Sequence, residues 1–158
     1  MKKTLVIFLS LFLLISCFIP TQAVNNSEKS DENTVIEYFC DGSYITTTII
    51  ESTNSINRST STKTGTKTIT YSDANGDTLW EAFLHGTFTY NGTTSSCTST
   101  NITYSVYDSD WKITSATSTK SGNKAIGNIT AKRYFIGIPT ATIDKSATLT
   151  CSANGTLS

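Results

Sequence analysis

The sequence is short of the residues that most enzymes and most nucleic-acid binders depend on. It has one histidine, two prolines and one methionine in 158 residues, and only 15% of the chain is charged. Lys and Arg number 12 and so do Asp and Glu. No basic excess exists to neutralise a phosphate backbone, so nucleic acid is not expected as a partner. No glycine-rich phosphate loop is present. One histidine with scattered cysteines falls short of the three or four ligands of a zinc site. No cofactor or metal is implied. No window of 11 or more residues carries a 3.6-residue apolar stripe, which argues against helices.

The one long apolar run stands at the start. Met1-Lys2-Lys3 is basic, Thr4 to Ile19 is apolar, and Pro20-Thr21-Gln22-Ala23 ends in a small residue. This is the layout of a secretory signal peptide over residues 1–23. That run of 16 residues, interrupted by Ser10, Ser16 and Cys17, is shorter than the roughly 20 of a membrane span. The mature chain has no second such run, so no membrane span is expected in it. Cleavage between Ala23 and Val24 gives a secreted, extracellular protein. Leu14-Ile15-Ser16-Cys17 also reads as a lipobox. Lipidation of Cys17 would hold the chain at the outer face of the cytoplasmic membrane. Residues 24–33 are polar and read as a flexible leader, and residues 34–158 as one domain.

What the mature chain has in quantity is serine and threonine: 47 of its 135 residues. Val, Ile, Leu and Phe make up only 24. Seven tyrosines and two tryptophans supply the missing core volume. Threonine and isoleucine suit a pleated surface. Short alternating segments are predicted at Val35–Phe39, Ser43–Glu51, Thr66–Ser72, Thr78–Leu84, Gly86–Tyr90, Thr93–Cys97, Asn101–Tyr107, Trp111–Thr117, Lys124–Phe135 and Ala141–Cys151. Ser52 to Gly65 reads as a long loop or frayed edge. Asn91-Gly92 predicts a type I′ hairpin turn. Asp73-Ala74-Asn75-Gly76-Asp77 reads as a turn, because a calcium loop would need a Glu where Leu84 stands. Eight to ten short strands predict an all-β fold, a single antiparallel sandwich with the general architecture of an immunoglobulin domain.

Cys40, Cys97 and Cys151 remain after export, and one bridge can form among them. Cys97–Cys151 is the expected pair. Cys151 lies on the apolar face of its strand, and Cys97 follows a hairpin fixed in register. Closing that loop would contribute about 4 kcal/mol in the chain-entropy model. Cys97, Trp111 and Cys151 also echo the immunoglobulin order of Cys, Trp and Cys, although Leu149 stands where the tyrosine corner would be.

His85 is the one residue on which a small secreted hydrolase could be built, with Cys40 or a serine as nucleophile. No nucleophile motif accompanies it, and it falls between two predicted strands. Glu81 has no visible carboxylate partner for glycoside hydrolysis. The chain is therefore read as non-enzymatic. Trp80, Trp111, Tyr90, Tyr104, Tyr107 and Tyr134 could form a carbohydrate-stacking platform, but aromatics at alternating strand positions more often build a core. The expected function is binding or interaction at the cell envelope or outside the cell, with an unidentified partner there; the alternative is a carbohydrate-binding module.

Several runs carry a resemblance. They are Tyr71-Ser72-Asp73-Ala74-Asn75-Gly76-Asp77-Thr78-Leu79-Trp80, His85-Gly86-Thr87-Phe88-Thr89-Tyr90-Asn91-Gly92, Ser121-Gly122-Asn123, Ala131-Lys132-Arg133-Tyr134, Gly137-Ile138-Pro139 and the ending from Leu149 to Ser158. Together they resemble a group of small exported β-rich proteins of unknown function from low-GC Gram-positive bacteria. The resemblance implies origin and fold class only.

Overall fold

A computed structural model describes residues 34–56 and 60–158. The proposed signal peptide, its cleavage point at Ala23 and Val24, Cys17 and the leader lie outside the described residues. Eight strands follow one another: β1 Thr34–Tyr38, β2 Tyr44–Ile56, β3 Ser61–Ser72, β4 Thr78–Tyr90, β5 Ser95–Val106, β6 Trp111–Ser121, β7 Lys124–Phe135 and β8 Ile138–Thr150. They form two antiparallel sheets, ordered β1-β2-β3-β4-β5 and β6-β7-β8. The fold is an all-β sandwich. Its path is a plain up-and-down meander, without the Greek-key connections of immunoglobulin domains.

Alternation along the strands decides the faces. Tyr71, Ile69, Lys67 and Gly65 of β3 point inward. So do Trp80, Ala82, Leu84, Gly86 and Phe88 of β4, which pair with or neighbour them in register. The facing layer is small: Ala125, Gly127, Ile129 and Ala131 of β7. A side chain at Gly127 would meet Ile102 and Leu84 at 3.1 Å, so small residues here set the distance between the sheets. Leu84, Phe88, Ile129 and Leu149 are fully buried, each worth about 1.5–3 kcal/mol. Tyr71 stacks on Trp80 at 5.6 Å and meets Trp111 edge-on at 5.1 Å, closing one end of the core.

Three expectations need correction. Ser52–Gly65 is not a loop, because β2 runs on to Ile56 and β3 already starts at Ser61. That stretch has no apolar alternation to read, yet partners hold it. Lys63 pairs with Glu51 at 2.8 Å, and Glu51 accepts the backbone N–H of Leu157 at 3.1 Å. Leu157 then packs on Gly65, where a Cβ would lie 2.2 Å from its Cδ1. His85 is not at a strand end, since Thr78–Tyr90 is one strand. Asn91-Gly92 is not a two-residue type I′ turn. Only Gly92 has positive φ; the Asn91 side chain instead accepts the N–H groups of Thr93 and Thr94.

The meander sorts the turns between two ends. Turns after β1, β3, β5 and β7 gather at one end, called here the hairpin end. Turns after β2, β4 and β6 gather at the other with the C-terminal residues, and the chain enters β1 there. The larger sheet has two strands more than the smaller, so β8 is left with an open edge facing β2. Lys67 reaches in from β3 to donate to the Thr148 carbonyl at 2.8 Å, and Lys145 of β8 pairs with Glu37 of β1. Charged side chains turned into an open edge discourage a further strand from adding. Burial pushes the Lys67 pKa down.

Candidate functional site

His85 stands in the middle of β4 on the outer face of the five-stranded sheet. Thr66 Oγ1 lies 3.0 Å from its Nδ1, and Thr103 Oγ1 lies 3.1 Å from its Nε2. Both ring nitrogens are therefore taken by neighbouring strands. Among the described residues no serine, cysteine or carboxylate is hydrogen-bonded to the ring. A hydrolase on His85 would need a nucleophile and a cleft together, and the ring instead bridges three strands of a sheet surface. Glu81, four residues along the same face, accepts from Thr70 at 3.0 Å and from Tyr107 at 2.7 Å. That bond raises the Tyr107 pKa, because the neighbouring carboxylate favours the neutral phenol. The direction of Tyr107, opposite to Ile102, Tyr104 and Val106, thus has a structural use: it clamps Glu81.

Asp73 forms a turn. Its Oδ1 accepts the N–H groups of Asn75 and Asp77, both at 2.9 Å. Hydrogen bonding from the Asp77 backbone is the main reason that its pKa is lowered. Among the described residues no three His, Cys, Asp or Glu side chains gather as metal ligands. Trp80 and Trp111 are both buried. The exposed Tyr38 ring lies 5.6 Å from that of half-buried Tyr44, tilted by 46°. A flat sugar-stacking platform on the tryptophans is thereby overturned, since both indoles are needed inside, where the facing layer is too small to fill the space alone.

Cys97 and Cys151 are both free thiols in the structure. Each thiol has a separate partner, Ser99 O at 3.3 Å and Ser152 O at 3.4 Å. Both are buried in the hydrophobic core. Consecutive residues of the β6–β7 turn hold their backbones: Cys97 N donates to Gly122 O at 2.8 Å and Cys151 N to Asn123 O at 3.0 Å. Ser95 also donates to Cys151 O at 2.5 Å. Burial pushes both thiols up in pKa. Cys40 is exposed, in the turn after β1. Trp111 begins β6 at the opposite end from both cysteines, so the immunoglobulin-like triad does not assemble.

The feature that sequence reading missed is the β7–β8 hairpin. Phe135 pairs with Ile138, and Ile136-Gly137 make the turn. Ile136 has a φ of 48°, a left-handed conformation that β-branched residues rarely adopt, and it is the sole non-glycine residue with positive φ among the described residues. It is 84% exposed, with Phe135 at 65% and Ile138 at 66%. A two-residue turn of this kind normally carries Asn-Gly or Asp-Gly. Ile-Gly gives no such signal, so the segment reads as a broken strand.

Among the described residues, seven of the nine large exposed apolar side chains lie within three residues of the hairpin-end turns: Tyr38, Tyr104, Val106, Tyr107, Phe135, Ile136 and Ile138. The described turns of the opposite end carry Asn91, Gly92, Thr93, Gly122, Asn123 and Asn154, and Val35 is the one such side chain exposed near it. No protein family, curated protein or solved structure matches this chain.

Proposed function

We propose that this chain is an exported, non-enzymatic binding protein of the cell envelope or extracellular space, and that it meets its partner with the hairpin end. The observation that carries this reading is the asymmetry of the two ends. Scattered exposed apolar residues are ordinary, but their concentration at one end of a sandwich marks an interaction surface. The polar end receives the chain at Thr34. The engagement of both His85 nitrogens by threonines supports a non-catalytic role. In an oxidising compartment we further propose that Cys97 and Cys151 become bridged, since the adjacent carbonyls of Gly122 and Asn123 hold both backbones.

Cys40 offers a test, because it is an exposed thiol at the hairpin end. Binding of the labelled chain to envelopes of the producing cell is measured with a bulky polyethylene glycol on Cys40. A Cys40→Ser, Thr93→Cys variant carrying the same polymer at the other end is the control. Binding should be lost with the first and kept with the second. Equal binding by both would refute the assignment.

A further inference from the structure

We infer that the β7–β8 hairpin is a membrane-seating tip, which enters the surface layer of a lipid bilayer without spanning it. This rests on the hairpin end being the binding end, and it names the partner. The order of residues along the hairpin carries the inference. Ile136-Gly137 form the apex, and Phe135 pairs with Ile138 just below it. Tyr134 pairs with Pro139 next, then Arg133 with Ala141, then Lys132 with Thr142. Lys112 of β6 lies 5.3 Å from the Tyr134 ring centroid. From tip to base the sequence of chemistries is aliphatic and phenyl, then phenol, then cations. A bilayer surface shows the matching order: hydrocarbon, the interface where amphipathic rings sit, then phosphates.

The dimensions agree. The backbone N–H of Tyr134 donates to Asp110 O at 2.7 Å, so the turn between β5 and β6 reaches the level of Tyr134. The apex lies two residues further out, about 7 Å at the rise of a strand. Surface-seated elements enter by about 5–10 Å. Ile136 adds an independent reason. Its backbone conformation is unfavourable for isoleucine, and its side chain is exposed to water, so neither local stability nor solubility explains it there. A Cβ built at Gly137 would meet nothing within 4 Å, so the apex stands open to a flat surface.

Charge narrows the lipid. The turns of this end carry Asp41, Asp73, Asp77, Asp108 and Asp110, against Lys112, Lys132 and Arg133 at the hairpin base. Arg133 is 3.6 Å from Asp110, with both side chains about half exposed. Such an end gains little from an anionic surface, and two copies would repel tip to tip. Seating therefore depends on the apolar tip, and a phosphocholine surface suffices.

The test is flotation of the purified chain with vesicles of palmitoyl-oleoyl phosphatidylcholine, and with the same lipid containing phosphatidylglycerol. Flotation with the first is expected, insensitive to salt. Ile136→Asn should lower partitioning about tenfold, as expected for one large apolar side chain, and Phe135→Ser with Ile138→Ser should abolish it. Ile50→Ser, an exposed apolar residue in the middle of β2 and away from this end, should leave it unchanged. Circular dichroism and thermal melts confirm that each variant is folded. The proposal is overturned by no flotation with either vesicle, by flotation indifferent to the tip variants, or by flotation seen only with phosphatidylglycerol and removed by salt. If flotation fails while the polymer on Cys40 still blocks envelope binding, the hairpin end stands as the binding end and its partner is a protein or glycan. If both fail, the hairpin end itself is wrong.

Discussion

Replacing Ile136 by asparagine should make the protein more stable, which is unusual for a point substitution. The left-handed region costs an L residue about 1–2 kcal/mol, and asparagine tolerates it better than a β-branched residue. Ile136→Asn should thus recover about 1 kcal/mol of strain. The loss on the other side is small. Ile136 is 84% exposed, so it forfeits no more than about 0.5 kcal/mol of the 1.5–3 kcal/mol that full burial brings. The net gain is about 0.5–1 kcal/mol. For a domain with roughly 120 ordered residues, at about 2.1 cal/mol/K each, this raises Tm by about 2–4 °C. Differential scanning calorimetry of both proteins at equal concentration measures it. An unchanged or lower Tm would refute the claim that the turn is strained. It would also remove one of the two reasons for seeing a functional cause behind Ile136.

Four other outcomes are expected. Gly155→Ala should cost about 2–4 kcal/mol by urea titration, because the position has φ of +84° and its Cβ would lie 2.4 Å from the Tyr90 ring. Lys67→Met should change stability little but promote self-association in sedimentation velocity, because it uncaps the Thr148 carbonyl on the open edge of β8; a variant that stays monomeric at high concentration would refute the edge-guard role. Asp73 has its folded pKa below the unfolded value of about 3.9, so its contribution is present above that pH and is lost as pH falls through the folded pKa. Asp73→Asn should accordingly flatten the loss of stability below about pH 4, and an unchanged acid limb would show that the turn bonds carry no stability. Intact mass after alkylation of the natively exported protein should show one labelled thiol before reduction, Cys40, and three after it; the bridged form should be about 2–4 kcal/mol more stable than the reduced one. Three labels before reduction would dismiss the bridge.

Much of the fold was legible because alternation is a local property. Thr78 to Leu84 showed Trp80, Ala82 and Leu84 on one face, and those residues are the buried ones. In Lys124–Phe135 the alternate residues Ala125, Gly127, Ile129 and Ala131 are mostly small, a pattern open to reading in the sequence, and Gly127 is where Leu84 and Ile102 press in. Legibility stopped where a segment's partner lies far along the chain. Ser52 to Gly65 has no apolar rhythm of its own, and it forms strand because Glu51, Lys63 and Leu157 meet there. His85 looked terminal because Gly86 follows it, yet Gly86 continues the strand: its missing side chain leaves room for the Phe88 ring and Ala125.

The sequence by itself determined the class: enough threonine and isoleucine in alternating register for strands, no helical stripe, and large aromatics to fill a core that few aliphatics could fill. The tertiary structure alone decided which residues face a partner. Exposure of Phe135, Ile136 and Ile138 depends on where the smaller sheet ends relative to the larger, and on a turn that isoleucine's own conformational preference opposes. Local propensity reports what a residue favours in isolation. It cannot report the pairing of Phe135 with Ile138, which leaves Ile136-Gly137 as a two-residue turn and puts an isoleucine in the left-handed region.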